Sequence, residues 1–177
     1  MNPEIKRDIE KQAQNVVQLL LDLKKKVASA ESCTGGLISA AITSVSGSSE
    51  VFDMGICTYA NKIKHDKINV PSEYLERFGA VSEQVAKAMA EGVAEAAESD
   101  FGVSTTGIAG PSGGTKEKPV GTVWIGICKK GFPPRAKCFL FKTEGCPEEM
   151  TEREYIRSQA VLAALKLLES ELIPNPF

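Results

Sequence analysis

Ser32 and Cys33 stand side by side in Ala30-Glu31-Ser32-Cys33-Thr34-Gly35-Gly36, two potential nucleophiles next to a glycine pair. A hydroxyl or thiol that attacks a carbonyl needs a group to take its proton and donors to hold the oxyanion that forms. The flanking residues bear on the second need. Val27-Ala28-Ser29-Ala30 reads as a short buried strand, and Leu37, Ile38, Ala41, Ile42 and Val45 then recur at helical spacing. A strand-to-helix junction leaves backbone N–H groups unpaired, able to hold a phosphate or an oxyanion. The same residues also suit an ordinary tight turn.

The proton acceptor is sought in Thr58-Tyr59-Ala60-Asn61-Lys62-Ile63-Lys64, which follows a second strand-like run. A lysine held neutral in a dry pocket could act as base, and Lys62, Lys64 and Lys67 are all close in sequence. His65, the one histidine of the chain, is an alternative whose simplest place is the solvated surface. Spacing selects none of them. A second glycine-rich segment runs from Thr105-Thr106-Gly107 through Gly110-Pro111-Ser112-Gly113-Gly114. Small residues with free N–H groups suit a phosphate or a ribose. Neither segment has the Gly-Lys-Ser/Thr of a Walker loop or the dinucleotide-binding spacing, and an unliganded surface loop remains the simpler alternative.

These segments need a frame. Asn2-Pro3 reads as a helix start, and Ile5, Ile9, Val16, Leu19, Leu20 and Leu23 form an apolar stripe ending at Lys24-Lys25-Lys26. Strands are expected at 27–30, 51–59, 101–106, 120–128 and 136–141, the last two as a hairpin. Helices are expected after Gly36, over 61–68, from Pro71-Ser72 to Gly79, over 83–99 behind Ser82, and over about 148–172 before Pro174. Alternating strands and helices predict an α/β fold: a single-domain three-layer α/β/α sandwich over residues 1–177, with a mixed, mostly parallel sheet. Ligands collect beyond the carboxyl ends of parallel strands, so both glycine-rich loops should face one crevice.

A net charge of −2 and the absence of a basic run give no reason to expect nucleic acid or an anionic membrane as partner. The first 26 residues are charged and amphipathic, without a secretory core, and no apolar run approaches the ~20 residues of a membrane span. Five cysteines without a CxxC pair fit reduced thiols in a cytoplasm, with Cys57, Cys128 and Cys138 expected as small core residues. No ligand spacing calls for a metal.

With those motifs in order, the chain resembles the CinA C-terminal domain family over roughly residues 5 to 170. The resemblance is carried by the 30–36 stretch, Thr58-Tyr59-Ala60-Asn61 with Lys64, Gly79-Ala80-Val81-Ser82-Glu83, Thr106-Gly107-Ile108-Ala109-Gly110-Pro111, and Lys118-Pro119-Val120-Gly121-Thr122-Val123-Trp124. It implies an amidohydrolase that converts nicotinamide mononucleotide and water to nicotinic acid mononucleotide and ammonia, in a stand-alone form without the N-terminal domain of longer relatives. It also implies a nucleophile at Ser32, a base at Lys64, and Tyr59 as a third catalytic residue. Arg153, with Arg157 less closely matched, falls on the arginines that start the family's last helix. Two departures stand out: Ser112, where relatives often carry Asp or Gly, and Thr151-Glu152, where a Gly-Asp pair is common.

The implied substrate-binding set is Cys33, Thr34, Gly35, Gly36, Asn61, Thr106, Gly107, Gly110, Gly113, Gly114 and Arg153, with N–H groups from Cys33 to Gly36 as oxyanion donors. No cofactor or metal is required. A cytoplasmic homo-oligomer, a dimer by preference, is expected. Two alternatives stand beside this reading: Cys33 as nucleophile with His65, or with Glu31 and Lys64 in a nitrilase-like set, and a non-catalytic pyridine-nucleotide-binding or regulatory protein of the same fold.

Overall fold

Strand β1 (Val27–Glu31) is buried along its whole length and sits second in a five-stranded sheet of order β2-β1-β3-β4-β5. Its neighbours β2 (Phe52–Cys57) and β3 (Phe101–Gly107) both run parallel to it. Strand β4 (Thr122–Lys129) is antiparallel to β3 and to β5 (Arg135–Leu140). Four strands therefore point one way and only β4 is reversed, which is the mixed, mostly parallel sheet that the alternation of elements implies. The computed structural model describes residues 3–173, so the N-cap expected at Asn2 and the stop at Pro174 lie outside the described residues.

Helices cover both faces. On one face lie α1 (Pro3–Leu23), α2 (Leu37–Thr43) and α6 (Glu152–Leu172); on the other lies α5 (Glu83–Ala96), flanked by α3 (Asn61–Ile68) and α4 (Ser72–Phe78). The apolar stripe of α1 (Ile9, Val16, Leu20) packs with Ile156, Ala160, Leu165 and Leu168 of α6 into one core with Val103 and Ile125 of the sheet. That stripe is intramolecular core rather than an open face. The second core joins Ala28 and Ala30 of β1 to Val85, Met89 and Val93 of α5 and to Ile68.

Element ends follow local chemistry. The Ser82 side chain caps α5, accepting from the Val85 N–H. Helix α6 begins at Glu152 rather than near 148, because Thr151 and Glu154 form a reciprocal capping box there. The cysteine expectation is corrected in two places: Cys128, on the interior strand β4, is buried, but Cys57 and Cys138 are exposed. Both lie on edge strands, where helices cover less of the sheet.

Candidate functional site

The carboxyl ends of β1, β2 and β3 meet at one corner of the sheet. The Ser32 N–H donates to the Thr105 carbonyl at 3.0 Å, and the Thr58 N–H donates to the Glu31 carbonyl at 2.8 Å, so three strand ends are stitched together under the site. A cleft of about 290 Å³ opens above them, lined by Ser32, Cys33, Tyr59, Gly107, Ile108, Ala109, Gly110, Ser112, Gly113 and Arg153.

Lys64 lies beneath Ser32. In α3 it occupies the inward phase together with Ile68, one turn on, and it is 1% exposed. Lys62 and Lys67 lie on the outer face, and Lys62 pairs with Asp66. The Lys64 Nζ donates to the carbonyls of Thr58 at 2.8 Å and Tyr59 at 3.1 Å, and stands 3.3 Å from Ser32 Oγ. A neutral amine has two N–H bonds and one lone pair. With both hydrogens on carbonyls, the lone pair is left for the Ser32 hydroxyl. Burial pushes the amine's pKa below the usual 10.5.

Cys33 has the opposite fate. It is buried in the core beneath α6, and desolvation pushes its thiol up to about 11. A thiol so seldom ionised at neutral pH is a poor nucleophile. Adjacent side chains diverge at the turn: the exposed direction goes to Ser32, the buried one to Cys33. His65 and Asn61 line a separate groove on the outer side of α3, where His65 Nδ1 meets the Val70 carbonyl at 3.0 Å.

Glu31 has a role that its residue type did not reveal. Its fully buried carboxylate accepts from the N–H groups of Gly36 (2.9 Å), Ile38 (3.1 Å) and Ser39 (2.9 Å), and from the hydroxyls of Thr34 (2.7 Å) and Ser39 (2.8 Å). The first turn of α2 is therefore capped by the chain's own anion and is not open to a ligand. Gly36 leaves the expected set of oxyanion donors for this reason. Among the described residues, the N–H groups of Cys33, Thr34 and Gly35 make no backbone hydrogen bond to another residue within normal geometry. The carboxylate is committed to these bonds, which removes Glu31 from a nitrilase-like set.

Other expected binding residues separate into wall and support. Gly107, Gly110 and Gly113 line the cleft. The Thr106 hydroxyl instead donates to the Ala80 carbonyl at 2.7 Å, and Gly114 packs on Val120. Thr34 is buried, with its hydroxyl donating to Glu31 and accepting from Thr105. Arg153 spans the cleft mouth, donating to the Gly110 carbonyl at 2.6 Å and the Tyr59 hydroxyl at 3.2 Å.

The model of the CinA C-terminal domain matches residues 9–172. The chain belongs to the CinA C-terminal domain family. A competence-damage inducible protein of Clostridium novyi is 46% identical over 156 residues, 88% of this chain and 36% of that protein. Its counterpart in Thermoanaerobacter pseudethanolicus is 43% identical over 166 residues, 94% of this chain and 38% of that protein. The chain thus spans little more than a third of the length of these relatives. Among solved structures, the competence/damage inducible protein CihA of Agrobacterium tumefaciens matches with a TM-score of 0.85 and 40% identity, covering 92% of this chain and 94% of that one. A CinA superfamily protein of Escherichia coli matches with a TM-score of 0.82 and 32% identity, covering 92% and 90%. As a CinA domain, the chain carries its nucleophile candidate at the end of the first strand and its buried lysine on the helix after the second. Among the described residues, no cluster of His, Cys, Asp and Glu could hold a metal, and no helix is long and apolar enough to cross a membrane.

Proposed function

We propose that this CinA domain is a serine amidohydrolase that releases ammonia from nicotinamide mononucleotide. The observation that carries the chemistry is the Lys64 amine, buried and held by two backbone carbonyls at 3.3 Å from Ser32 Oγ. Neutral Lys64 takes the Ser32 proton as Oγ attacks the carboxamide carbon. The tetrahedral oxyanion is held by N–H groups of the turn after Ser32, a contribution of about 3 kcal/mol per donor. The new ammonium donates to Thr58, Tyr59 and the leaving nitrogen, and the C–N bond breaks to give ammonia and an acyl-Ser32 ester. Water then attacks the ester while Lys64 takes its proton. The proton returns to Ser32 Oγ, and the nicotinate carboxylate departs.

The substrate reading rests on the family resemblance and on the character of the cleft. Its walls are glycine-rich backbone, and among the described residues its one cationic side chain is Arg153, whose partners are neutral oxygens. An arginine without a carboxylate suits a phosphate. Tyr59 would carry its ring at the rim and help to place Arg153.

The test is ammonia release from nicotinamide mononucleotide by wild type, Ser32→Ala and Cys33→Ala proteins. The expected result is turnover in wild type and in Cys33→Ala, and loss of at least about 1,000-fold in Ser32→Ala with an unchanged circular dichroism spectrum. Near-wild-type turnover in folded Ser32→Ala sinks the assignment. Stabilisation by the nucleotide without ammonia release would point to a binding protein instead.

A further inference from the structure

Arg157 lies one helical turn beyond Arg153 on α6, yet it does not line the cleft. Its Nε donates to the Cys33 carbonyl at 3.1 Å and its Nη2 to the Thr34 carbonyl at 2.8 Å. Among the described residues it forms no salt bridge. A guanidinium spent on two consecutive backbone carbonyls fixes the peptide planes that carry them. In a trans peptide the C=O of one residue and the N–H of the next point in opposite directions. Holding the Cys33 and Thr34 carbonyls toward α6 therefore aims the Thr34 and Gly35 N–H groups away from it.

The other side of the turn is closed as firmly. Glu31 consumes the N–H groups of Gly36, Ile38 and Ser39 and pins the Thr34 hydroxyl. Gly35 adopts φ +60°, and a Cβ there would come within 3.2 Å of Arg157 Nη2, so the turn has no slack toward the guanidinium. An anion below and a cation behind leave the intervening amides, among the described residues, without a backbone hydrogen bond to another residue.

We infer that Arg157 is a positioning residue, which fixes and polarises the peptide planes of the turn after Ser32 so that its exposed N–H, that of Gly35, serves as an oxyanion donor for Ser32. This rests on the serine amidohydrolase reading, but it concerns the reacting carbonyl and not the nucleotide. A hydrogen bond from a cation to a peptide oxygen also strengthens the N–H of the same peptide as a donor. Arg157 thus acts on the transition state through the backbone without touching substrate.

The experiment compares wild type, Arg157→Ala and Arg157→Lys on nicotinamide mononucleotide and on 4-nitrophenyl acetate, with Ser32→Ala as the blank. Rates are normalised to the folded fraction measured by circular dichroism. Arg157→Ala is expected to lower kcat about 100-fold on both substrates, with KM for the nucleotide changed less than about threefold. Millimolar ethylguanidinium should restore part of that rate. Arg157→Lys, which cannot fork to two carbonyls, should fold normally and lose about tenfold in kcat on both. The Lys variant decides the matter if the Ala variant does not fold. Wild-type kcat in Arg157→Lys, or a loss confined to KM for the nucleotide with the ester unaffected, overturns the inference; the latter would make Arg157 a phosphate contact. If wild type cleaves the ester but not the nucleotide, the nucleotide reading fails while the ester rates still judge Arg157. A wild type inert toward both overturns the two together.

Discussion

Arg153 Nη2 lies 3.2 Å from the Tyr59 hydroxyl, tying α6 to the loop after β2 across the mouth of the cleft. The remaining bond of that guanidinium goes to the Gly110 carbonyl, so both partners are neutral and exchangeable for a phosphate. Arg153→Ala is expected to raise KM for nicotinamide mononucleotide by about 10–100-fold, the worth of one charge-assisted contact. The riboside, which lacks the phosphate, should show little change. Steady-state kinetics on the pair checks this, and equal losses on both would remove Arg153 from phosphate binding.

Lys64 sets the pH dependence. Burial favours its neutral form in the folded protein, so its amine ionises below 10.5. Below that folded value Lys64 is protonated and Ser32 has no base, so kcat/KM should fall about tenfold per pH unit as acid is added. Lys64→Arg should be inactive with no such limb. The stability sign agrees: between the folded value and 10.5 the unfolded chain binds the proton first, so stability rises with pH through that window. A profile whose rising limb sits at or above 10.5 would contradict the burial argument.

Glu31 is a structural anion, and its replacement should cost stability directly. Glu31→Gln keeps the volume but turns an NH2 toward groups that are themselves donors. A loss of about 2–4 kcal/mol is expected at neutral pH, or roughly 5–15 °C in Tm. Urea unfolding measures it. An unchanged midpoint would mean that α2 starts equally well without the carboxylate.

Thr58 carries the opposite kind of lesion. Among the described residues its buried Oγ1 has no hydrogen-bond partner, while its carbonyl holds Lys64. Thr58→Val removes the unsatisfied hydroxyl at nearly constant volume and leaves the carbonyl in place. Stability should rise by about 1 kcal/mol with the Lys64 contact preserved. Destabilisation by a similar amount would show that the hydroxyl is in fact satisfied in solution.

Local patterning was enough for the frame and for the neighbourhood of the site. Apolar periodicity marks α1, β1, β3 and α5 because burial of one face acts over a few residues and leaves its period in the chain. The Ser-Cys-Thr-Gly-Gly turn was legible from its glycine pair between an apolar strand and an apolar helix. Choices among neighbours were not, because each depends on what packs from far away in sequence. Lys64, not Lys62 or Lys67, is the buried amine because α5 packs on one phase of α3, and the residues just after β1 and β2 (Ser32, Thr58 and Tyr59) surround that amine. The Ser32 hydroxyl, not the Cys33 thiol, is left open to attack because the Cys33 side chain is taken into the core under α6. The exposure of Cys57 and Cys138 follows from strand order, which no run of six residues records. The roles of Glu31 and Arg157 were hidden most deeply. A carboxylate feeding on backbone amides and a guanidinium feeding on backbone carbonyls have no partner residue type to be read from the chain. They exist only once α2 and α6 are packed against the end of β1.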